Sequence, residues 1–334
     1  MNNFLKIFFL TIFAFILTNC TTTDDEIPAT PINDFGEQYT TDTANIKKFL
    51  QTHSVTVDAN NNVTGYPAVL PADIANSIWG AVDAIHKPSL LERTITYNGT
   101  NYIVYYLKLN QGIGDYPCNV DSAQVDYIGS LLPTVASDAV ATPFQIGDNK
   151  IFFNLNPFLQ QPVIRGWSEI IPQFNAATTL NSFDYGAGVM FIPSGFAYFN
   201  ASSTKIPSYS PLIFSFKLFG VIHLDQDNDG ILSVNEDLNA DRYVTTEDTD
   251  GDGRANFNDG DDDNDNVLTA FEIKRPKVVV NGVLVENGSY PYNGAAQDDP
   301  LTLNIDESKG VPACGDIDFT TPARIRKYLD AGCK

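Results

Sequence analysis

The 334-residue sequence predicts an α+β protein: an antiparallel sheet with a short helix packed on it, plus a small, irregular acidic module. Three observations carry that expectation. Between residues 94 and 223, segments of strand composition recur at 102–109, 123–131, 150–155, 188–192 and 212–222, interrupted by one helix-like piece at 165–174. Residues 225–272 then hold sixteen Asp or Glu against two basic residues, Arg242 and Arg254, which supplies 14 of the 21 excess negative charges. Finally, 43% of the chain is hydrophobic, enough for a sizeable core, and the length suits about two folded units. A net charge of −21 argues against nucleic acid and against an anionic membrane surface as partners, since both recognise a basic face.

The amino terminus sets the compartment. Lys6 precedes an apolar run at 7–17 broken only by Thr11, short for a bilayer span and suited to the h-region of a secretory signal. The run ends in Leu17-Thr18-Asn19-Cys20, which resembles a bacterial lipobox, with Asn19 where Gly, Ala or Ser is usual. That resemblance implies a signal peptide over 1–20 and lipid on Cys20. The chain would then be attached to a membrane through its lipid, as an outer-membrane lipoprotein of the cell envelope facing the periplasm or the surface. An ordinary signal peptide with a chance cysteine is the alternative. Residues 21–40, polar and carrying Pro28 and Pro31, read as a linker.

Residues 41–95 form an extension without a chemical motif. Ile46, Phe49 and Leu50 predict a helix over 43–53. Residues 58–62, between Val55, Val57 and Val63, predict a hairpin turn. Ile74, Ile78, Val82 and Ile85 predict a second helix over 71–85.

Four pieces between residues 96 and 224 resemble the FKBP-type peptidyl-prolyl isomerases, in that family's order. They are Tyr127-Ile128-Gly129; Val163-Ile164-Arg165-Gly166-Trp167; Ile192-Pro193-Ser194-Gly195-Phe196-Ala197-Tyr198; and Ile206-Pro207 followed by 212–216. The resemblance implies an FKBP-like sheet, rotamase activity on proline-containing clients, and no cofactor for catalysis. Carried over by motif position, it implies a proline pocket formed by Tyr127, Asp138, Val163, Ile164, Trp167, Tyr198, Ile206 and Phe214. Two positions depart from the pattern. Ser137-Asp138 stands where the family has Phe-Asp, so an aromatic wall is missing unless Phe144 or Phe153 supplies it. Phe199 stands where a glycine follows the presenting tyrosine. A non-catalytic peptide-binding or scaffold lipoprotein of the same fold is the competing class.

The acidic run is patterned. Asp225, Asp227, Asp229, Gly230, Ser233 and Glu236 match the calcium-loop spacing D-x-D-x-D-G-x5-E, which places oxygen ligands around one cation and a glycine at the sharp turn. Asp248, Asp250, Asp252, Asn256 and Asp259 repeat it, as do Asp261, Asp263, Asp265, Thr269 and Glu272. A degraded copy starts at Asp237, Asn239 and Asp241. Only Gly260 separates the second copy from the third, so no EF-hand helix fits between them. The segment instead resembles thrombospondin type-3-like repeats, and calcium is expected in a structural role. An adhesive element is a further reading, and a merely solvated acidic linker is the bland one.

Residues 273–334 close the chain. Asn281-Gly282 predicts a hairpin over 278–285, and 322–329 a short helix. Cys314 and Cys333 bracket one short segment and form the natural disulfide pair, with Cys118 either a buried thiol or the partner of one of them. His53, His86 and His223 are scattered without metal-ligand spacing and read as structural.

Overall fold

The computed structural model describes residues 32–80, 88–133, 143–160, 162–292, 310–316, 318–319, 321 and 323–333, and only the backbone of 146–149. The signal peptide with Cys20, Asp138, His86 and residues 81–85 of the helix expected over 71–85 lie outside the described residues.

The chain runs α1 (Phe35–Thr52), β1 (Thr56–Val57), β2 (Val63–Gly65), β3 (Leu90–Tyr97), β4 (Thr100–Asn110), β5 (Ser122–Leu131), β6 (Gln145–Asn154), α2 (Arg165–Ile170), β7 (Gly186–Ile192) and β8 (Leu212–Ile222). Strands β3 to β8 form one sheet in the order β3-β4-β7-β8-β5-β6, with every neighbouring pair antiparallel. The fold is therefore mixed helix and antiparallel sheet. Period-two alternation divides its side chains between two cores. Tyr102, Val104, Tyr106, Met190 and Phe214 face α2, where Trp167, Ile170 and Ile171 meet them. Tyr105, Leu107, Val189, Phe191 and Ile213 face α1, against Ile46, Phe49 and Leu50. Strand β7 is covered on both faces, and all seven of its residues are buried.

Helix α1 begins eight residues before the expected start, inside the stretch read as linker. Asp34 caps it, accepting hydrogen bonds from the Gly36 and Glu37 amides at 2.8 and 3.1 Å. The added turns bury Gln38 and Asp42, and buried polar residues leave no trace in hydrophobic spacing. Strand β3 lies before the first expected strand at 102–109. Asn98 and Gly99, at φ +46° and +71°, form its turn into β4, a signal that Asn-Gly between β-branched residues carries. The helix expected over 165–174 stops at Ile170 and tightens into a 3-10 turn, Ile171–Gln173, where Pro172 removes a backbone donor. At 71–76 the backbone is 3-10 rather than α.

The acidic segment folds as four successive loops starting at residues 225, 237, 248 and 261, the degraded copy included. Each bends through the left-handed region at its fourth and sixth positions: Asn228 and Gly230, Ala240 and Arg242, Gly251 and Gly253, Asn264 and Asn266. In each, the first aspartate accepts the sixth amide, at 3.1, 2.7, 3.0 and 3.2 Å in turn. The degraded loop docks on the sheet and on α2. Its Tyr243 hydroxyl donates to the Glu169 carbonyl in α2, Arg93 lies 3.2 Å over the Tyr243 ring, and Arg242 Nη1 donates to the Pro172 carbonyl at 2.8 Å. Val244 and Phe257 pack on Cys118 and Val120 just before β5.

A one-turn helix, α3 (Thr269–Glu272), ends the loops and is followed by the hairpin β9 (Val278–Val280) and β10 (Val283–Val285), turning through Asn281 and Gly282 at φ +51° and +80°. The tail returns to the loops: Val311 and Tyr328 pack with Ile231 and Ile273. Cys314 and Cys333 are disulfide-bonded with Cα atoms 5.3 Å apart, and Cys118 is a buried thiol whose pKa burial raises well above the usual range. Of the helix expected over 322–329, the described residues show a 3-10 turn, Lys327–Leu329. No helix among the described residues is long and apolar enough to cross a membrane.

Candidate functional site

Five aromatic rings gather where β5, β6, β8 and the start of α2 converge. The Trp167 indole meets Tyr127 edge-on at 4.8 Å, Phe153 at 5.2 Å and Phe214 at 5.5 Å, while Phe144 packs edge-on against Phe214 at 5.8 Å. Between them lies a cavity of about 160 Å³ lined by Tyr127, Phe144, Phe153, Val163, Trp167 and Phe214, with Gln145, Pro162, Ile164 and Tyr198 around it. Trp167 is only 4% exposed yet borders this hollow, whereas Tyr198 is 45% exposed. Partial burial raises the pKa of both Tyr198 and Tyr127 from a value already above neutral, so their hydroxyls are protonated and can donate.

Two glycines of the motif pieces are explained by close approach. A Cβ on Gly129 would come within 2.7 Å of the Phe144 and Phe214 rings, and one on Gly166 within 2.6 Å of Ile192. Glycine at these points lets β5 and α2 close around the hollow.

Six of the motif-placed residues therefore meet here: Tyr127, Val163, Ile164, Trp167, Tyr198 and Phe214. Ile206 packs on the same core without lining the cavity. Both Phe144 and Phe153 line the cavity as aromatic wall, and Ser137 lies outside the described residues. Gln145 and Pro162 are lining residues that motif matching passed over, because neither sits at a motif position.

Helix α1 braces the loop that carries Tyr198. The Asp42 carboxylate, 1% exposed, accepts from the Ser194 amide at 2.7 Å, the Ser194 hydroxyl at 2.6 Å and Gln38 Nε2 at 2.7 Å. Burial raises its pKa and these hydrogen bonds oppose the rise. Phe199, at φ +47° where glycine would be at ease, stacks on Phe35 of α1 at 4.1 Å and packs edge-on against Tyr209 at 5.2 Å. The extension supplies what the missing glycine would have spared. Replacing Asp42 by Ala leaves the buried Ser194 amide unpaired, and is expected to cost about 1–3 kcal/mol in chemical denaturation. Amide exchange over 194–199 should quicken in that variant, and exchange equal to the parent would refute the brace.

The acidic loops divide by burial. In the first and third, Asp227 Oδ2, Asp229 Oδ2, Ser233 Oγ, both Glu236 oxygens, Asp261 Oδ1, Asp263 Oδ2 and Glu272 Oε2 are buried without a hydrogen-bond partner. Burial, then neighbouring carboxylates, pushes Glu236 up to about 10, Asp227 to about 7 and Glu272 to about 8. Oxygen-only donors, bare and mutually repelling, fit calcium. Asp225, Asp227 and Asp229 come within reach of one ion, as do Asp261, Asp263 and Asp265. Asp248, Asp250 and Asp252 also converge but lie nearer the surface. The other two expected ligands of that loop make hydrogen bonds of their own: the Asn256 amide is tied at both ends to Thr249, and Asp259 Oδ1 accepts the Asp261 amide at 3.1 Å. In the degraded loop, Thr245 accepts from Asn119 at 2.8 Å, so its hydroxyl holds the sheet. His223 lies between Asp121 at 2.8 Å and Asp115 at 3.0 Å, and the Asp121 hydrogen bond pushes its pKa up to about 9.

A protein-family profile described as BamM C-terminal matches residues 226–304, well under half of the chain. No curated protein matches. Among solved structures, the chain is similar to a peptidyl-prolyl cis-trans isomerase from Pseudomonas syringae pv. tomato, at 23% identity and TM-score 0.28, covering 35% of this chain and 74% of that one. It is similar also to FkpA from Escherichia coli, at 24% identity and TM-score 0.28, covering 38% of this chain and 51% of that one. The chain thus spans about half the length of FkpA.

Proposed function

We propose that the chain is a peptidyl-prolyl cis-trans isomerase of the FKBP type, acting on proline-containing polypeptides in the cell envelope, with structural calcium in its acidic loops. The observation that carries this reading is the aromatic hollow in which Tyr127, Val163, Ile164, Trp167 and Phe214 meet beside Tyr198. Envelope placement, by lipid on Cys20, rests on the lipobox-like Leu17-Thr18-Asn19-Cys20.

Rotation about an X–Pro bond needs no nucleophile, acid or metal, because its barrier of about 18–20 kcal/mol is lost amide resonance. A twisted amide has a less polar carbonyl than a planar one, so a dry aromatic pocket favours the twisted form. Trp167 is the floor for the prolyl ring, Val163, Phe153 and Phe214 are its walls, and the exposed Tyr198 hydroxyl donates to a substrate carbonyl. A millionfold acceleration takes about 8 kcal/mol. A single net hydrogen bond contributes about 1 kcal/mol, so shape and exclusion of water carry most of the effect. Calcium supplies positive charge to the buried carboxylates and no part of the bond rotation.

The test is isomerisation of a proline-containing peptide by the full chain and by Tyr198→Phe. The parent should accelerate the reaction, and loss of the hydroxyl should slow it about tenfold or less, the worth of one hydrogen bond. A parent rate equal to buffer, with peptide binding retained, would replace this reading with a non-catalytic binder of the same peptides.

A further inference from the structure

We propose that Asp262 of the third loop is a calcium ligand together with Asp229 and Glu236 of the first, making a cation site between loops that the repeat spacing does not assign. The proposal rests on the calcium reading above and adds to it a ligand and a connection.

Asp262 occupies the second position of its loop, where the pattern asks for no ligand. Its counterparts behave as that position should. Gln226 donates to the Val120 carbonyl at 2.8 Å, Leu238 is exposed, and the Thr249 hydroxyl accepts from Asn256 at 2.8 Å. Asp262 differs from all three. It is 2% exposed, and neither carboxylate oxygen has a hydrogen-bond partner. Glu236, 1% exposed, is equally bare at both oxygens, and Asp229 is bare at Oδ2. One oxygen from each of the three comes within 4.8 Å of the other two. No lysine, arginine or histidine among the described residues pairs with Glu236 or Asp262.

Three buried carboxylates converging without donors or counter-charges fit a cation, which relieves the repulsion that protonation would otherwise have to relieve. An ion bound by carboxylates at 2.3–2.6 Å accommodates oxygens up to about 5 Å apart. Calcium suits the setting better than magnesium, which keeps several waters and has little room for them among buried groups. Asp229 belongs also to the set with Asp225 and Asp227, so the inter-loop site is continuous with the first loop's own. The first loop closes only when the third is in place, and the array binds calcium as a unit.

The full chain, stripped with chelator and dialysed against calcium, is compared with Asp262→Asn, Glu236→Gln, the double variant and Asp73→Asn. Asp262→Asn is expected to weaken calcium binding at this site at least about tenfold, because ligand charge count sets affinity. The double variant should lose no more than Glu236→Gln alone, since both remove ligands of one ion. In calcium, Asp262→Asn should melt below the parent. In chelator it should melt above, because a carboxyl that is costly to bury in either protonation state without a cation has gone; a residue serving only to pack would not reverse sign. Asp73→Asn, which removes one exposed carboxylate outside the acidic loops, should leave this site's affinity unchanged. Parental binding by Asp262→Asn, or losses that add in the double variant, would overturn the inter-loop site alone. A parent that binds no calcium would overturn the calcium reading with it.

Discussion

Chelating calcium is expected to unfold residues 225–272 and release the tail packed on them, while the six-stranded sheet persists. Bare carboxylate oxygens are concentrated in the first and third loops, and the cluster of Ile231, Ile273, Val311 and Tyr328 binds the tail to those same loops. Without a cation the carboxylates either ionise and repel or take up protons. Burial, then the neighbouring carboxylates, pushes Asp262 up to about 9, so without a cation the fold favours its protonated form at neutral pH, at a cost to stability. The linkage is large: an ion present at 100 times its Kd contributes about 2.7 kcal/mol per site, and a whole domain's stability is only about 5–15 kcal/mol. Hydrogen exchange measures it directly. Amides of 225–272 should lose protection in chelator, those of β4, β7 and β8 should keep it, and α2 should loosen because Tyr243 holds Glu169. Identical exchange with and without chelator would remove calcium from the account of stability.

Trp167→Ala should lower kcat/KM for prolyl-peptide isomerisation by at least about a hundredfold, close to 3 kcal/mol of transition-state stabilisation. The indole contacts Tyr127, Phe153 and Phe214 together, so truncation removes the floor and lets three walls collapse inward. The same change should cost about 3–5 kcal/mol of stability, as a buried aromatic does. Trp167→Phe separates the two effects: a smaller ring keeps a flat apolar floor and should retain most of the activity. A folded Trp167→Ala variant with parental kcat/KM would show that the hollow is not where the bond turns.

Much of this architecture is written locally along the chain. Period-two alternation in 102–109 and 212–222 corresponds to β4 and β8, whose side chains divide between the two cores. The repeated Asp spacing yields four like-shaped loops because an aspartate accepting amides a few residues ahead, with a left-handed residue at the turn, completes its bonds within one loop. Asn98-Gly99 carried equal information about β3 and was passed over.

The remainder depends on partners far apart in sequence. Asp42 and Ser194 are 152 residues apart, and burying a carboxylate on α1 becomes sensible only once the Tyr198 loop supplies its donors. Phe144 and Phe153 restore an aromatic wall that motif position assigned to residue 137, since a cavity is defined by which rings reach it and not by their order. Asp262 reads as one more acid in a run of three until the first loop is folded against it. Spacing specifies bonds that close within about a dozen residues. Which buried charge faces which depends on the packing of the whole chain, because desolvation is a property of the surroundings and not of the residue.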